Sequence, residues 1–207
     1  ELFFSELPIA ASVSRLPQRL ADAPSAVTVI DRAPIRASGA RALSDVFRLV
    51  PGFQTFAGSD KPVAVHYHGI TDQDYAARMQ VLVDGRSLHS PLFSGGMNWE
   101  LVPVALEDIE RIEVVRGSNT TAYGTNAFLG VINIVPREPA LVRGLSLAAS
   151  NGNQGVRDYT LRTGGALGQA GNFRLTVQTR SDNGLDHRLE RHLIGAKWRD
   201  SNSTRLI

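Results

Sequence analysis

His66 and His68 stand two residues apart in a β-branched stretch, Val63–Tyr67. On a strand that spacing puts both imidazoles on one face, where neutral rings could ligate a metal. No third ligand stands beside them in the sequence, so the pair reads as structural and no metal site is assigned. The carboxylates Glu107, Asp108 and Glu110 are close neighbours in the chain, without a sign of the pairing that general acid–base chemistry needs. The chain has no G-x-S-x-G elbow, no H-E-x-x-H pair and no phosphate loop ending in Gly-Lys. It also has no cysteine, which removes thiolate nucleophiles, thiolate metal sites and disulfides together. No catalytic residue and no cofactor are expected. An enzyme would have to rest on a pocket of convergent titratable groups that no motif announces.

The elements around these residues belong to a chain with enough apolar content, 43% of 207 residues, to build a core. Lys and Arg number 22 against 20 Asp and Glu, without a long run of either sign, so a nucleic-acid partner is not expected. No run of about 18 apolar residues exists, which excludes a membrane-spanning helix but leaves open a β-barrel, whose strands alternate instead. The start Glu1–Phe4 lacks the basic and long apolar regions of a signal peptide.

The sequence changes character between Pro136 and Pro139. Before it, Ala26–Asp31 reads as a strand and Ala40–Val50 as a helix. That helix would carry the stripe Leu43, Val46, Phe47 and Val50, with Ser38 as N-cap and Pro51-Gly52 as its stop. Strands are expected at Val63–Tyr67, Met79–Val83, Ile109–Val115 and Gly130–Val135, with a tight turn at Asp84-Gly85. In Ile109–Val115 strict alternation groups Ile109, Arg111, Glu113 and Val115 on one face, and Glu110, Ile112 and Val114 on the other. Mixed charge and apolar bulk on both faces suits a domain enclosed by a polar wall, although ordinary surface ion pairs would read the same way.

After the change, Gly144–Ser150, Arg157–Leu167, Asn172–Arg180 and Arg191–Trp198 read as successive antiparallel strands, and Thr204–Ile207 as the start of a fifth. Phe173, Leu175, Val177 and Thr179 alternate with Asn172, Arg174, Thr176, Gln178 and Arg180. In a soluble sandwich the apolar face would be the core; in an outer-membrane barrel it would face lipid. The short connection Gly168–Gly171 and the long one Ser181–Glu190 fit the turn and loop asymmetry of a barrel. Four strands do not close a barrel when bacterial examples begin at about eight, so on that reading the chain is a fragment.

Several segments, in this order, carry a resemblance: AVTVID at 26–31, LSDVFRLVPGF at 43–53, VLVDGR at 81–86, IERIEVVRG at 109–117, AYGTNA at 122–127 and GVINI at 130–134. The set resembles the plug of TonB-dependent outer-membrane receptors. The fold this implies is an α+β plug domain, a small mixed sheet with short helices, followed by antiparallel strands of an incomplete transmembrane β-barrel. The divisions would be a leader at 1–25, the plug at 26–138 and the first strands of the barrel at 139–207. About 25 residues before the first plug strand would be too few for the extra signalling domain of some members.

The function implied is active uptake across the outer membrane, with the plug gating import of a scarce nutrient. An iron–siderophore is the default cargo; haem, cobalamin or another metal chelate are the alternatives. A soluble periplasmic binding module is the reading from a different class. The resemblance places a ligand floor in two loops. Thr55, Phe56, Ser59 and Asp60 come from the first; His89, Phe93, Ser94, Met97 and Asn98 come from the second. It places the TonB-binding box at Leu7, Pro8, Ile9, Ala10, Ala11 and Ser12, and plug–barrel contacts at Arg111, Glu113 and Arg116. Partners would be the TonB periplasmic domain with its inner-membrane energising complex, a small metal chelate and outer-membrane lipid. His68 departs from the family, which carries Arg at that position before Gly69.

Overall fold

The computed structural model describes residues 25–56, 63–69, 78–89, 98–168, 171–182 and 201–206; of 201–206, and of 9–10 and 18–19, it describes the backbone alone. The chain divides into two compact units, Glu1–Pro136 and Arg137–Ile207.

In the first unit the elements run β1 (Ile9–Ala10), β2 (Gln18–Arg19), β3 (Ala26–Asp31), α1 (Arg32–Ala37), α2 (Leu43–Val46), β4 (Phe53–Phe56), β5 (Ala64–Tyr67), β6 (Met79–Val83), β7 (Arg86–Ser87), β8 (Ile109–Arg116), α3 (Thr120–Tyr123) and β9 (Gly130–Pro136). Five of the strands form one sheet in the order β3-β8-β9-β6-β7, while β1-β2 and β4-β5 pair separately. Every pairing in the five-stranded sheet is antiparallel except β6 with β9, which a long crossover makes parallel.

Period-2 alternation builds the core on one face of this sheet. Ile30 stands opposite Ile112, which stands opposite Ile134; Val114 stands opposite Ile132, beside Val81. All six are buried, and they share one cluster with Val46, Phe47, Phe53 and Trp99. Phe47 meets Trp99 edge-on at 4.8 Å and stacks on Phe53 at 5.8 Å between ring centroids. Ile109 corrects the simple alternation. It joins this core instead of facing the way of Arg111 and Glu113, because the β8–β9 pairing shifts register between Ile109 and Arg111.

The helix expected over 40–50 is shorter. It begins at Leu43, runs as α2 to Val46 and tightens into a 3-10 turn at Phe47–Leu49. Asp45 sets its start, since its Oδ2 accepts from the Ala42 N–H at 3.0 Å and the Arg41 N–H at 3.3 Å. Ser38 is therefore not its N-cap. It closes α1, a helix the sequence analysis did not foresee, with its N–H donating to the Pro34 carbonyl and its hydroxyl to the Ile35 carbonyl at 2.6 Å. Pro51 does stop the helix, because the residue before a proline is pushed out of the helical region and Val50 is extended.

The second unit is a four-stranded antiparallel sheet in the order β10 (Gly144–Asn151), β11 (Arg157–Ala166), β12 (Asn172–Asp182), β13 (Ser201–Leu206). The segment 201–206 pairs directly with β12, so it is not the outer neighbour of an Arg191–Trp198 strand; that expected strand lies outside the described residues. Across the sheet Leu147 stands opposite Leu161 and Leu161 opposite Val177. This apolar face is open: Leu147 is 75% exposed, and Leu145, Tyr159, Leu161 and Leu175 are exposed with it. On the opposite face Thr160, Thr176 and Gln178 are buried, with Gln178 Nε2 donating to Thr160 Oγ1 at 3.3 Å. The unit's leading segment crosses that polar face, where Arg174 donates to the Arg137 carbonyl and Val142 O abuts Gly164. Among the described residues no helix is long and apolar enough to cross a membrane.

Candidate functional site

The candidate loops spring from two hairpins that backbone geometry makes rigid at their roots. Asp84 and Gly85 both have positive φ, at 50° and 74°, which is the two-residue turn that joins β6 to β7. Its N–H groups are spent on β9: Asp84 donates to the Ile134 carbonyl, and Gly85 donates to Asn133 Oδ1 at 3.2 Å. Gln80 Nε2 then holds Ser87 Oγ at 2.7 Å across the hairpin. Asn133 and Gln80 were not singled out from sequence. Their signal was a polar residue inside a strand that is otherwise apolar.

His89 follows β7 and folds back onto β6. Its Nε2 lies 3.2 Å from the Val81 nitrogen and 3.0 Å from the Met79 carbonyl oxygen, accepting from the first or donating to the second according to the tautomer. The ring thus occupies the β6 edge beyond the end of the two-residue strand β7. Thr55 is likewise anchored: it sits in β4 opposite Val65, and its hydroxyl accepts from Arg48 Nε at 2.8 Å. Arg48 also lies 3.5 Å from Asp45, tying the hairpin root to the end of the helix. Phe56 ends β4 opposite Ala64. Asn98 is half-buried and its carbonyl opens the 3-10 turn Trp99–Leu101, accepting from the Leu101 N–H. Thr55 and His89 hang on different sheets. Ser59, Asp60, Phe93, Ser94 and Met97 lie outside the described residues.

The histidine pair does not share a face. The strand ends at Tyr67, and His68 turns out of it with φ of 51°, donating its N–H to the Gly52 carbonyl. Its ring lies edge-on to Tyr67 at 4.4 Å, over Gly52, where a Cβ would come within 2.9 Å of His68 Nε2. His66 stays in β5 opposite Gln54. Among the described residues no group of three acidic, histidine or cysteine side chains is arranged to hold a metal.

On the second face of the five-stranded sheet, Arg111 Nε donates to Glu113 Oε1 at 2.7 Å. Glu113 is wholly buried between Val29 of β3 and Asn133 of β9, while about a third of the Arg111 side chain remains exposed. Burial makes Glu113 depend on its hydrogen-bond partners, of which Arg111 is one, because an uncompensated buried carboxylate is costly. Arg116 ends the strand with its Nε buried and without a hydrogen-bond partner among the described residues. An unmatched buried donor of this kind calls for an acceptor. At the N-terminus, Ile9 and Ala10 pair antiparallel with Arg19 and Gln18; residues 7, 8, 11 and 12 lie outside the described set.

The arrangement offers anchored loop roots and an ion pair with a buried carboxylate. A profile of the family described as TonB-dependent Receptor Plug Domain matches residues 19–131. A vitamin B12 transporter, BtuB, of Vibrio vulnificus (strain CMCP6) is 28% identical over 176 residues, covering 81% of this chain and 28% of that protein. The chain thus spans under a third of the length of the curated relatives it matches. Among solved structures, the pyoverdine outer-membrane receptor FpvA of Pseudomonas aeruginosa PAO1 superposes with a TM-score of 0.66 at 18% identity, covering 88% of this chain and 26% of the receptor. The ferric yersiniabactin uptake receptor FyuA of Yersinia pestis does so with a TM-score of 0.64 at 19% identity, covering 87% and 27%.

Proposed function

The chain belongs to the TonB-dependent receptor plug family, and from that premise we propose that it is the gate and first wall of an outer-membrane uptake receptor. The supporting observation is the inverted sheet of the second unit. Its apolar face is open while Thr160, Thr176 and Gln178 of its polar face are buried, the reverse of a soluble sandwich and the arrangement of strands whose outer surface meets lipid. The lengths of β11 and β12, 10 and 11 residues, also suit tilted strands that cross a bilayer.

On this reading residues 26–138 plug the lumen of a barrel that begins at 139, and residues 1–25 lead into the periplasm. Ligand is bound over the loops that follow β4 and β7, the stretches of sequence to which Thr55, Phe56, Ser59 and Asp60, and His89, Phe93, Ser94, Met97 and Asn98, belong. Thr55 and His89 serve mainly as anchors of those loops, since their polar atoms are engaged by Arg48 and by the β6 backbone. Arg116 takes its acceptor from the barrel wall, and the Arg111–Glu113 pair keeps the strand beside it rigid. The segment 7–12 adds a strand to the periplasmic domain of TonB, whose inner-membrane complex supplies the energy for moving the plug. The protein gates; it does not catalyse.

The cargo we infer is a metal chelate. An iron–siderophore is one reading, in keeping with receptors such as FyuA and FpvA; a cobalt corrinoid is the second, favoured by curated relatives named as vitamin B12 transporters. Growth of a deletion strain on separate iron–siderophore, haem and cobalamin sources tests both. Loss on one source, restored by the intact gene, identifies the cargo. Normal growth on all of them would overturn the metal-chelate reading.

A further inference from the structure

The first unit ends at Pro136, and β10 begins at Gly144. The seven residues between them, 137–143, are held against the sheet they lead into. Arg137 meets that sheet at β12, two strands away from the strand the chain is about to enter: Arg174 Nη1 donates to the Arg137 carbonyl at 2.7 Å. A 3-10 turn at Pro139–Leu141, closed by the Leu141 N–H on the Glu138 carbonyl, then packs on β11 and β12. Val142 is 4% exposed, and its carbonyl oxygen lies over Gly164, where a Cβ would come within 2.3 Å of it. Gly144 stands opposite Gly164 and Gly164 opposite Arg174, so one cross-strand row holds both ends of this strap. A glycine at 164 lets backbone lie on backbone, and the cation at 174 gives a carbonyl beyond the end of β9 a charged donor.

We propose that residues 137–143 belong mechanically to the wall, that Arg174 is the positioning residue that keeps them there, and that the plug pivots at Pro136–Arg137 when it is moved. This deepens the proposed function and rests on its reading of the first unit as gate and the second as wall. Without the pin the strap is slack. Seven residues drawn out span about 25 Å, at roughly 3.3–3.6 Å each. That is most of the hydrocarbon thickness of a bilayer, about 30 Å. A plug held at 137 converts a pull on its N-terminal end into rearrangement of its own elements, whereas a plug held at 144 follows the pull as a body until the slack is used.

The test uses the full-length receptor in lipid bilayers, with heat-modifiable electrophoretic migration as the check that the barrel is closed. Val142→Cys reports on the strap through modification by a water-soluble maleimide, read at the peptide that carries residue 142. Adding Arg174→Ala should speed modification by about tenfold, the factor that one hydrogen bond from a charged donor is worth. Arg174→Lys, which still donates, should recover much of the protection. Gly164→Ala reaches the strap from the other side, driving a Cβ into the Val142 carbonyl, and should speed modification as well. The receptor is then pulled by its N-terminus in a force microscope. The last force peak of the plug should place the fixed point at residue 137 in the parent and at residue 144 in Arg174→Ala, a shift of about 25 Å in contour length. Equal modification with and without Arg174→Ala, or a fixed point at 144 in the parent, overturns the strap in a receptor whose barrel is closed and leaves the gate and wall in place. A parent that forms no heat-modifiable barrel in lipid overturns the gate-and-wall reading, and the strap with it.

Discussion

Replacing Leu161 by Arg separates a lipid-facing sheet from one that faces water. Leu161 lies in the middle of β11, four residues from Arg157 and five from Ala166, and stands between Leu147 and Val177 on the open apolar face. At about 3.3 Å per residue those spans are roughly 13 to 17 Å along the strand. A tilt of about 45° leaves about 10 Å of depth to either interface. That distance strains even a side chain that snorkels. An Arg near the midplane of the lipid face should destabilise the folded receptor by about 2–4 kcal/mol, and one near an interface by about 0–1 kcal/mol. The same substitution on a water-facing surface should stay within about 0.5 kcal/mol of the parent.

The assay is reversible denaturant unfolding of the full-length receptor in lipid vesicles. Ala148→Arg serves as the internal control, because Ala148 stands opposite Thr160 on the polar face, where substitutions are tolerated. A loss of about 2–4 kcal/mol for Leu161→Arg, with a much smaller loss for Ala148→Arg, is the expected result. If Leu161→Arg is neutral, or if Ala148→Arg is the more damaging change, the apolar face does not meet lipid and the barrel reading falls.

Three other outcomes follow from the plug. Phe47→Ala removes a wholly buried ring from between Phe53 and Trp99, and should cost the plug about 3–5 kcal/mol, read as lost amide-exchange protection in β8 and β9. Asp45→Ala takes away the acceptor for the Arg41 and Ala42 N–H groups; a cost of about 1 kcal/mol should appear as faster exchange at Ala42 while β8 stays protected. Gly130→Ala drives a Cβ to 2.3 Å from the Val115 carbonyl in the centre of the sheet, so the strands must part, and protease resistance of the plug should fall by an amount equivalent to about 1–3 kcal/mol.

Much of this molecule is local chemistry, and local chemistry is what a sequence carries. The alternation that buries Ile112, Val114, Ile132 and Ile134 was visible in their spacing, and Asp84-Gly85 marked its own turn because both residues tolerate positive φ. The helix stop at Pro51 was legible because a proline pushes the residue before it out of the helical region. Its start was not, because Asp45 and Ser38 are both good capping residues, and only the folded backbone shows which ends they serve.

Long-range pairing decided the rest. Spacing put Ile109 with Arg111, and a register shift against β9 moved it into the core. Spacing put His66 with His68, and the Gly52 carbonyl drew His68 out of the strand. Alternation in β11 and β12 established that one face is apolar, but not whether that face is covered. Periodicity reports the difference between two faces, whereas their surroundings depend on residues far away in the chain; only the tertiary structure showed the leucines open and Thr176 and Gln178 buried.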